Sequence, residues 1–292
     1  MRPSEKYDFG SVDTLIGDRY RLLSEIGRGT SATVYRALDT QDESECAVKV
    51  GEAPQGSNRE QRFLREAAIA CQIRHTNVVR SNDYGIEDGF LYLVMEFLHG
   101  ETLGSCLIRQ AFGRKAAFES VLQVLRALES VHQSGVIHRD VKPNNIFVVH
   151  RADGSLGETK LLDFGISKGH GGSQRHRQPL TQKGMVVGTP WYVAPECLRG
   201  ARDLDPRVDV YSVGVLLFEV VTGALPFRST QIADLMYEIV KGTAIRVREI
   251  KPDCPELLAA IIQKAMAQDR AARFTSATDL CDQLQRFLET SQ

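Results

Sequence analysis

Cysteine is scarce: there are six in 292 residues, at 46, 71, 106, 197, 254 and 281, with no C-x-x-C pair. That speaks against a disulfide framework and a structural zinc site, and it fits a reducing compartment. Charge of one sign is not in excess either. Lys plus Arg total 36 against 37 Asp plus Glu, a net charge of -1, which argues against a dedicated nucleic-acid binder. No apolar run is long enough to cross a membrane. The longest, residues 213–221, is broken by Glu219, and a span needs about 20 residues. The first ten residues, MRPSEKYDFG, have no apolar core, so no signal peptide is expected. Internal repeats and long low-complexity runs are missing as well. These absences predict a soluble, cytoplasmic protein with no membrane segment and no nucleic-acid partner.

What is present is ordinary in bulk, with 42% apolar and 25% charged residues. At about 150 residues per domain the length suggests two units. Residues 1–18 are polar and unpatterned and read as an extension. Residues 20–50 are strand-like, punctuated by Gly27, Gly29 and a turn at 39–43. Residues 59–74 read as a helix. Residues 78–95 return to strands around the turn Glu87-Asp88-Gly89. Residues 116–133 form a long amphipathic helix ended by Ser134-Gly135, and 205–222 a buried helix. Asp253-x-x-Glu256 and Ser276-x-x-Asp279 look like capping boxes. The organisation is an extension (1–18), a small β-rich unit (19–95), a link (96–100) and a larger helical unit (101–288).

Gly27-Arg28-Gly29 between two predicted strands can bring backbone N–H groups close to a phosphate, although such a stretch also makes a plain hairpin turn. Lys49 lies in the apolar strand Cys46-Ala47-Val48-Lys49, where a lysine ordinarily snorkels to water. Glu66 shares a helix stripe with Phe63, Ala70 and Ile73, where an acid either sits at the stripe's wet edge or takes a cationic partner such as Lys49. The sharpest signal is residues 136–146, VIHRDVKPNNI, which pack ionisable and amide side chains between apolar flanks. Asp163-Phe164-Gly165 then places a carboxylate at a strand end, and Asp and Asn oxygens suit Mg²⁺.

In this order, these residues resemble the eukaryotic-type protein kinases over nearly the whole chain, from Tyr20 to Leu288. The matching parts are the Gly-rich loop, Lys49, Glu66, His138-Arg139-Asp140, Asp163-Phe164-Gly165, Ala194-Pro195-Glu196, Asp209 and Arg273. DRYRLLSEIGRG and GVIHRDVKPNN look most like bacterial members of the Ser/Thr branch. The resemblance implies an α+β, two-lobed protein kinase fold: a small antiparallel β-sheet lobe with one main helix, a larger mainly helical lobe, and ATP in the cleft. It implies that Ile26, Gly27 and Gly29 cover the nucleotide, and that Lys49, paired with Glu66, holds the α- and β-phosphates. Asn145 and Asp163 would hold Mg²⁺. Asp140 would accept the substrate hydroxyl proton and Lys142 would neutralise the γ-phosphate. Met95 would gate the adenine pocket, Glu96 and Leu98 would offer backbone hydrogen bonds, Val34, Ala47 and Phe147 would sandwich the ring, and Glu101 would bond the ribose. Thr189 would bond Asp140 and Lys142. Glu196 and Arg273 would form a buried ion pair, and Asp209 would accept N–H bonds from the catalytic loop.

The implied activity is phosphoryl transfer from ATP to Ser/Thr hydroxyls of protein substrates, the chain itself included. A nucleotide-binding pseudokinase scaffold is the alternative, and a small-molecule phosphotransferase a third reading. Lys49, Asp140, Asn145 and Asp163 are all present, and residues 188–196 match a peptide-docking stretch; both favour the first. Ala32 replaces the loop's third glycine, a methyl group that ATP binding should survive. Many bacterial relatives continue into a membrane helix and sensor domain, so a free-standing kinase and a fragment both stay open. Residues 166–190 carry Lys168, Arg175, Arg177 and Lys183 and no acid, a formal charge of +4. Autophosphorylation of Thr181, sensed by Arg139, is the expected switch.

Overall fold

The computed structural model describes residues 13–29, 32–52, 57–109, 113–151, 153, 155–163 and 190–290. They divide into two compact units, one from 13–73 and 80–98, the other from 74–79, 99–163 and 190–290.

The smaller unit is a sheet of β1 (Leu15–Ile16), β2 (Tyr20–Arg28), β3 (Thr33–Asp39), β4 (Glu45–Glu52), β5 (Ser81–Glu87) and β6 (Phe90–Glu96). The order is β1-β2-β3-β4-β6-β5, and every neighbouring pair is antiparallel. Strand alternation sorts the side chains. Tyr20, Leu22, Tyr35, Ala37, Cys46, Val48, Val50 and Val94 pack into one core with Ile16. The expected unpatterned extension therefore ends in a strand, because two residues are too few to show a period. The Tyr20 hydroxyl donates to Asp83 (2.7 Å) and the Gly17 N–H to Glu87 (2.6 Å). These bonds join strands from opposite ends of the sheet order, so the sheet is curled. Gly85 is required there: a Cβ would lie 2.5 Å from the Tyr92 ring.

The one helix among this unit's described residues, α1 (Ser57–Ala70), buries Phe63, Ala67 and Ala70. It stops short of the expected residue 74. Cys71 and Gln72 close its last turn onto Ala67 and Ile69. Ile73 is buried but off the helix, so it extends the apolar spacing without extending the element.

The larger unit contains a three-stranded sheet, β7 (Gly100–Thr102), β8 (Ile146–His150) and β9 (Leu156–Leu161). Its helices are α2 (Leu103–Ile108), α3 (Arg114–Gln133), α4 (Pro195–Leu198), α5 (Arg207–Thr222), α6 (Ile232–Lys241), α7 (Val247–Ile250), α8 (Glu256–Ala265) and α9 (Ala277–Thr290). A helix that is apolar all round must be buried, and α5 buries every residue from Val208 to Phe218. It ends at Gly223, in the left-handed conformation that favours glycine. Gly214 lets α5 approach α8: a Cβ there would lie 2.9 Å from Ala265. The expected start at 205 is two residues early, because Asp205 instead accepts the Arg207 N–H from outside the helix (2.9 Å).

Of the two expected capping boxes, one is half formed. Ser276 Oγ accepts the Asp279 N–H (3.0 Å), while the Asp279 carboxylate turns to Thr275. The other is not: Pro255, not Asp253, is the N-cap of α8. Among the described residues no helix is long and apolar enough to cross a membrane. The α+β expectation, a small antiparallel sheet with one main helix and a larger mainly helical unit, is borne out.

Candidate active site

In the larger unit, the segment at 138–145 is shaped by one carboxylate. Asp209, in the first turn of α5, is fully buried. Its Oδ1 accepts the Arg139 N–H (2.7 Å), and its Oδ2 accepts the His138 N–H (2.9 Å) and lies 2.8 Å from His132 Nε2 of α3. Arg139 has φ of 63°, a conformation unusual for any residue but glycine. Two N–H bonds onto one buried acceptor hold it there. Burial alone would push the Asp209 pKa up. Hydrogen bonds from His132 and from the Arg139 N–H are among the influences that outweigh burial and hold it below the ordinary value.

His138 is the second buried group. Its Nδ1 accepts from the Asp140 N–H (3.3 Å), so Nε2 carries the proton and donates to the Leu162 carbonyl (2.7 Å). Burial pushes this imidazole's pKa down, which keeps it neutral.

On this frame sits Asp140. Lys142 Nζ donates to Asp140 Oδ2 (3.0 Å). The Asn145 amide nitrogen donates both to the Asp140 carbonyl (2.8 Å) and to Oδ2 (2.9 Å). Both amide protons of Asn145 are thereby used on Asp140, and its amide oxygen is the atom left to meet a cation. The Leu162 N–H returns to the Asn145 carbonyl (2.8 Å), tying the end of β9 to the loop. Asp163 follows at φ of 51°. Hard, uncharged and anionic oxygens on Asn145 and Asp163 are a donor set that fits Mg²⁺.

Farther out, the expected ion pair is present. Arg273 donates to both oxygens of Glu196 (2.7 and 2.8 Å), with no exposed Arg273 side-chain surface. The Tyr192 hydroxyl donates to Glu219 of α5 (2.5 Å), whose pKa burial pushes up.

Glu101 and Phe147 also belong to this unit. Phe147 lies opposite Thr102, and Glu101 opposite Val148. The Glu101 carboxylate meets Arg109 and His150.

In the smaller unit, register sets the faces. Val34 pairs with Lys49 and Ala47 with Met95, and Ala47 and Lys49 are two apart on β4. Val34, Ala47, Lys49 and Met95 therefore share the face opposite the Tyr35–Cys46–Val48 core. Gly27 pairs with Val34 across a bulge, the Gly29 N–H donates to the Ala32 carbonyl (2.8 Å), and Ile26 is half exposed. Glu66 lies on α1, partly buried. The Glu96 carboxylate folds onto the Arg80 N–H (2.8 Å), and Leu98 lies in coil beyond β6. Thr181 and Thr189, with all of 164–189, lie outside the described residues.

Sequence reasoning missed His132 and the Leu162 carbonyl. His132 reads as an ordinary last-turn residue of α3, and only the fold puts it against an acid 77 positions later. A carbonyl carries no side-chain signal.

The family profile described as Protein kinase domain matches residues 20–285. Serine/threonine-protein kinase PksC of Streptomyces coelicolor is 35% identical over 95% of this chain and 50% of its own length. PrkC of Bacillus subtilis is 32% identical over 91% of this chain and 40% of its own. PknA of Mycobacterium tuberculosis is 33% identical over 93% and 62%. The chain thus spans 40–62% of the length of these curated relatives. Among solved structures, the PknI kinase domain of Mycobacterium tuberculosis shares the fold, with a TM-score of 0.73 at 23% identity over 94% of this chain and 98% of that one. A structure of Rad53 in complex with AMP-PNP has a TM-score of 0.72 at 25% identity, over 91% and 64%.

Proposed function

The chain belongs to the protein kinase domain family, and from that premise we propose that it is an active serine/threonine protein kinase using ATP and Mg²⁺. The observation that carries this reading is the Asp140 cluster: a carboxylate held by Lys142 and Asn145 on a loop whose backbone Asp209 fixes. An acceptor held in place before the substrate arrives is what a positioned base requires.

In this reading the substrate hydroxyl donates to Asp140. The proton passes to that carboxylate as the hydroxyl oxygen bonds to the γ-phosphorus, and the bond from that phosphorus to the β-phosphate oxygen breaks to leave ADP. Lys142, already on Asp140 Oδ2, stabilises charge on the transferring group. Asn145 and Asp163 would hold the metal, which when bound would supply neutralisation of phosphate charge. Lys49 orients the α- and β-phosphates with Glu66 as its partner, under Ile26, Gly27 and Gly29. Val34, Ala47 and Phe147 sandwich adenine, Met95 gates its pocket, the backbone at Glu96 and Leu98 bonds it, and Glu101 accepts from ribose. Lys142 and Thr189 set Ser/Thr preference. The kinase domain then comprises lobes at 19–95 and 101–288, linked by 96–100, and the extension at 1–18 adds the strand Leu15–Ile16 to the first lobe's sheet. Protein hydroxyls are the substrates, in the cytoplasm, and Thr181 is an autophosphorylation site read by Arg139.

Labelled ATP and a generic protein substrate test this. Asp163→Ala should abolish transfer, and Asp140→Asn should lower turnover by about 10²–10⁴. Wild-type turnover in Asp163→Ala would refute the assignment, and nucleotide binding without any transfer by the wild-type chain would make it a pseudokinase. Intact-mass and peptide mapping beside Asp163→Ala tests Thr181: an active enzyme with that residue unmodified removes it from the switch.

A further inference from the structure

Strand β9 ends two residues before Asp163, and its free edge is closed by groups from elsewhere in the larger unit. It is the outer strand of the order β7-β8-β9, so alternate residues turn their backbone N–H and C=O away from β8. Thr159 and Leu161 are two such residues. The Leu161 N–H donates to the Asn77 carbonyl (2.8 Å), and the Val79 N–H donates to the Leu161 carbonyl (3.0 Å). Residues 77–79 thus pair with β9 in parallel, Val78 opposite Leu161. At Thr159 side chains take over. Gln123 Oε1 of α3 accepts the Thr159 N–H (2.7 Å), and Asn77 Nδ2 donates to the Thr159 carbonyl (2.9 Å). Asn77 Nδ2 also donates to the same Gln123 oxygen (2.8 Å). The backbone settles which amide atom is which, because an N–H needs an oxygen and a carbonyl needs a nitrogen. One turn earlier on α3, Ser120 Oγ lies 3.0 Å from Thr159 Oγ1 and accepts its proton.

Asn77, Ser120 and Thr159 are all buried. Losing the Gln123 oxygen would strand two donors at once, the Thr159 N–H and one Asn77 amide proton. Leu162 is fixed from the other side, its N–H on the Asn145 carbonyl (2.8 Å). The chain then reaches Asp163 at φ of 51°. The end of β9 is therefore held at Thr159 and Leu161 on one side and at Asn145 on the other. Where β9 lies decides how far the Asp163 carboxylate stands from the Asn145 amide.

We propose that Gln123 and Asn77 are positioning residues for the metal site: they fix β9 so that Asp163 and Asn145 meet one cation. This rests on the kinase reading, in which those two side chains hold Mg²⁺ beside ATP. Gln123 and Asn77 act only through the strand. Their contribution should therefore appear in the part of ATP binding that depends on Mg²⁺, and not in the part that does not.

The test is equilibrium binding of ATP to the full chain, once with Mg²⁺ and once with EDTA. The ratio of the two affinities is the metal-dependent gain, and Asp163→Ala should abolish it. Gln123→Met keeps the side-chain length and removes the acceptor; it should cut the gain by about tenfold, the low end of the loss when a group that orients a metal ligand is removed. Gln123→Asn draws the acceptor back by one methylene and should also cut the gain, with less risk to the fold. Gln123→Glu keeps the oxygen and should restore most of it. An undiminished gain in Gln123→Asn overturns the inference and leaves the kinase reading standing. Equal losses of affinity with Mg²⁺ and with EDTA also overturn it, because they mark a contact that only supports the fold. If wild-type protein shows no metal-dependent gain, or Asp163→Ala keeps it, the metal assignment of the kinase reading fails, and this inference with it.

Discussion

Two carboxylic acids sit ten residues apart on the same buried helix and behave in opposite ways. Asp209 opens α5 and Glu219 lies in its last turn. Burial pushes both toward the neutral form. At Asp209 two backbone N–H groups and an imidazole overcome it, and the pKa falls. At Glu219 one phenol does not, and the pKa rises. Depth therefore does not decide whether a buried acid is charged; the number and kind of its donors does. Asp209 shapes the 138–145 loop, whereas Glu219 anchors Tyr192 on the 190–192 turn.

Removing one charge from each acid tests the comparison most directly. Asp209→Asn should have the largest effect. The amide keeps one acceptor oxygen and turns an NH₂ toward N–H groups that need an acceptor. We expect a loss of about 2–4 kcal/mol of stability, from a buried donor left unpaired and a charge-assisted bond lost. Arg139 loses the bond that holds its positive φ, and a small misplacement of Asp140 should lower turnover by about 10²-fold. Denaturant titration and phosphoryl transfer on the same protein check both, and a stable, fully active variant would break the comparison.

The second prediction is the pH signature of Asp209. Its folded pKa is below its unfolded one, so its contribution is fully present above the unfolded value and fades as pH falls through the folded value. His138 adds to this from a different window. Its folded pKa lies below the ordinary imidazole value, so its contribution fades once pH drops below that value. Wild-type protein should therefore lose stability in two stages on acidification, and Asp209→Asn should shrink the lower one, to which Asp39 and Asp205, also held below their ordinary values by arginines, still contribute. Unfolding curves from pH 7 to pH 3 would show it.

How much of this was legible in the sequence follows the same division. Asp209 could be read as an acid leading an apolar helix, and VIHRDVKPNN as a loop with chemistry, because both stand out against greasy neighbours. The sheet was legible from its strand-like runs punctuated by glycines and turns, and α5 from its apolar run. Glu219 was visible only as a break in that run; nothing local said that Tyr192 would meet it 27 positions away. His132 was invisible for the same reason. The boundaries that shifted, at 15–16, 70 and 207, are places where burial and helix geometry part company: Ile16 and Ile73 are buried outside helices, and Asp205 is polar outside one.

Tyr192→Phe sharpens the Glu219 half. It removes the only side-chain hydrogen bond drawn to that carboxyl among the described residues while leaving the ring in the Ala194–Val208–Tyr211 cluster. A buried acid without its donor should cost about 1–3 kcal/mol. The Glu219 pKa should rise further, because the lost bond was the one influence lowering it. Urea unfolding at pH 7 measures the cost, and a variant as stable as wild type would show that the phenol contributes nothing net.

Glu219→Gln should have the smallest effect, and its sign is the most informative. In wild-type protein the folded pKa of Glu219 lies above its unfolded value. Between those two values the folded state binds more protons than the unfolded state, so stability falls as pH rises through the window. An uncharged glutamine removes that slope, and its amide oxygen still accepts from the Tyr192 hydroxyl. At pH 4, where both proteins are neutral at this site, they should be within about 0.5 kcal/mol of each other. At pH 7 the glutamine variant should equal or exceed wild type, so the difference between them should move in the variant's favour as pH rises. Asp209→Asn should move the opposite way over the same range, because it loses a contribution that grows with pH. Parallel urea titrations of the two variants at pH 4 and pH 7 would show the crossing. If both carboxyl-to-amide changes cost more at pH 7 than at pH 4, Glu219 is held as an anion after all, and the contrast between the two acids collapses.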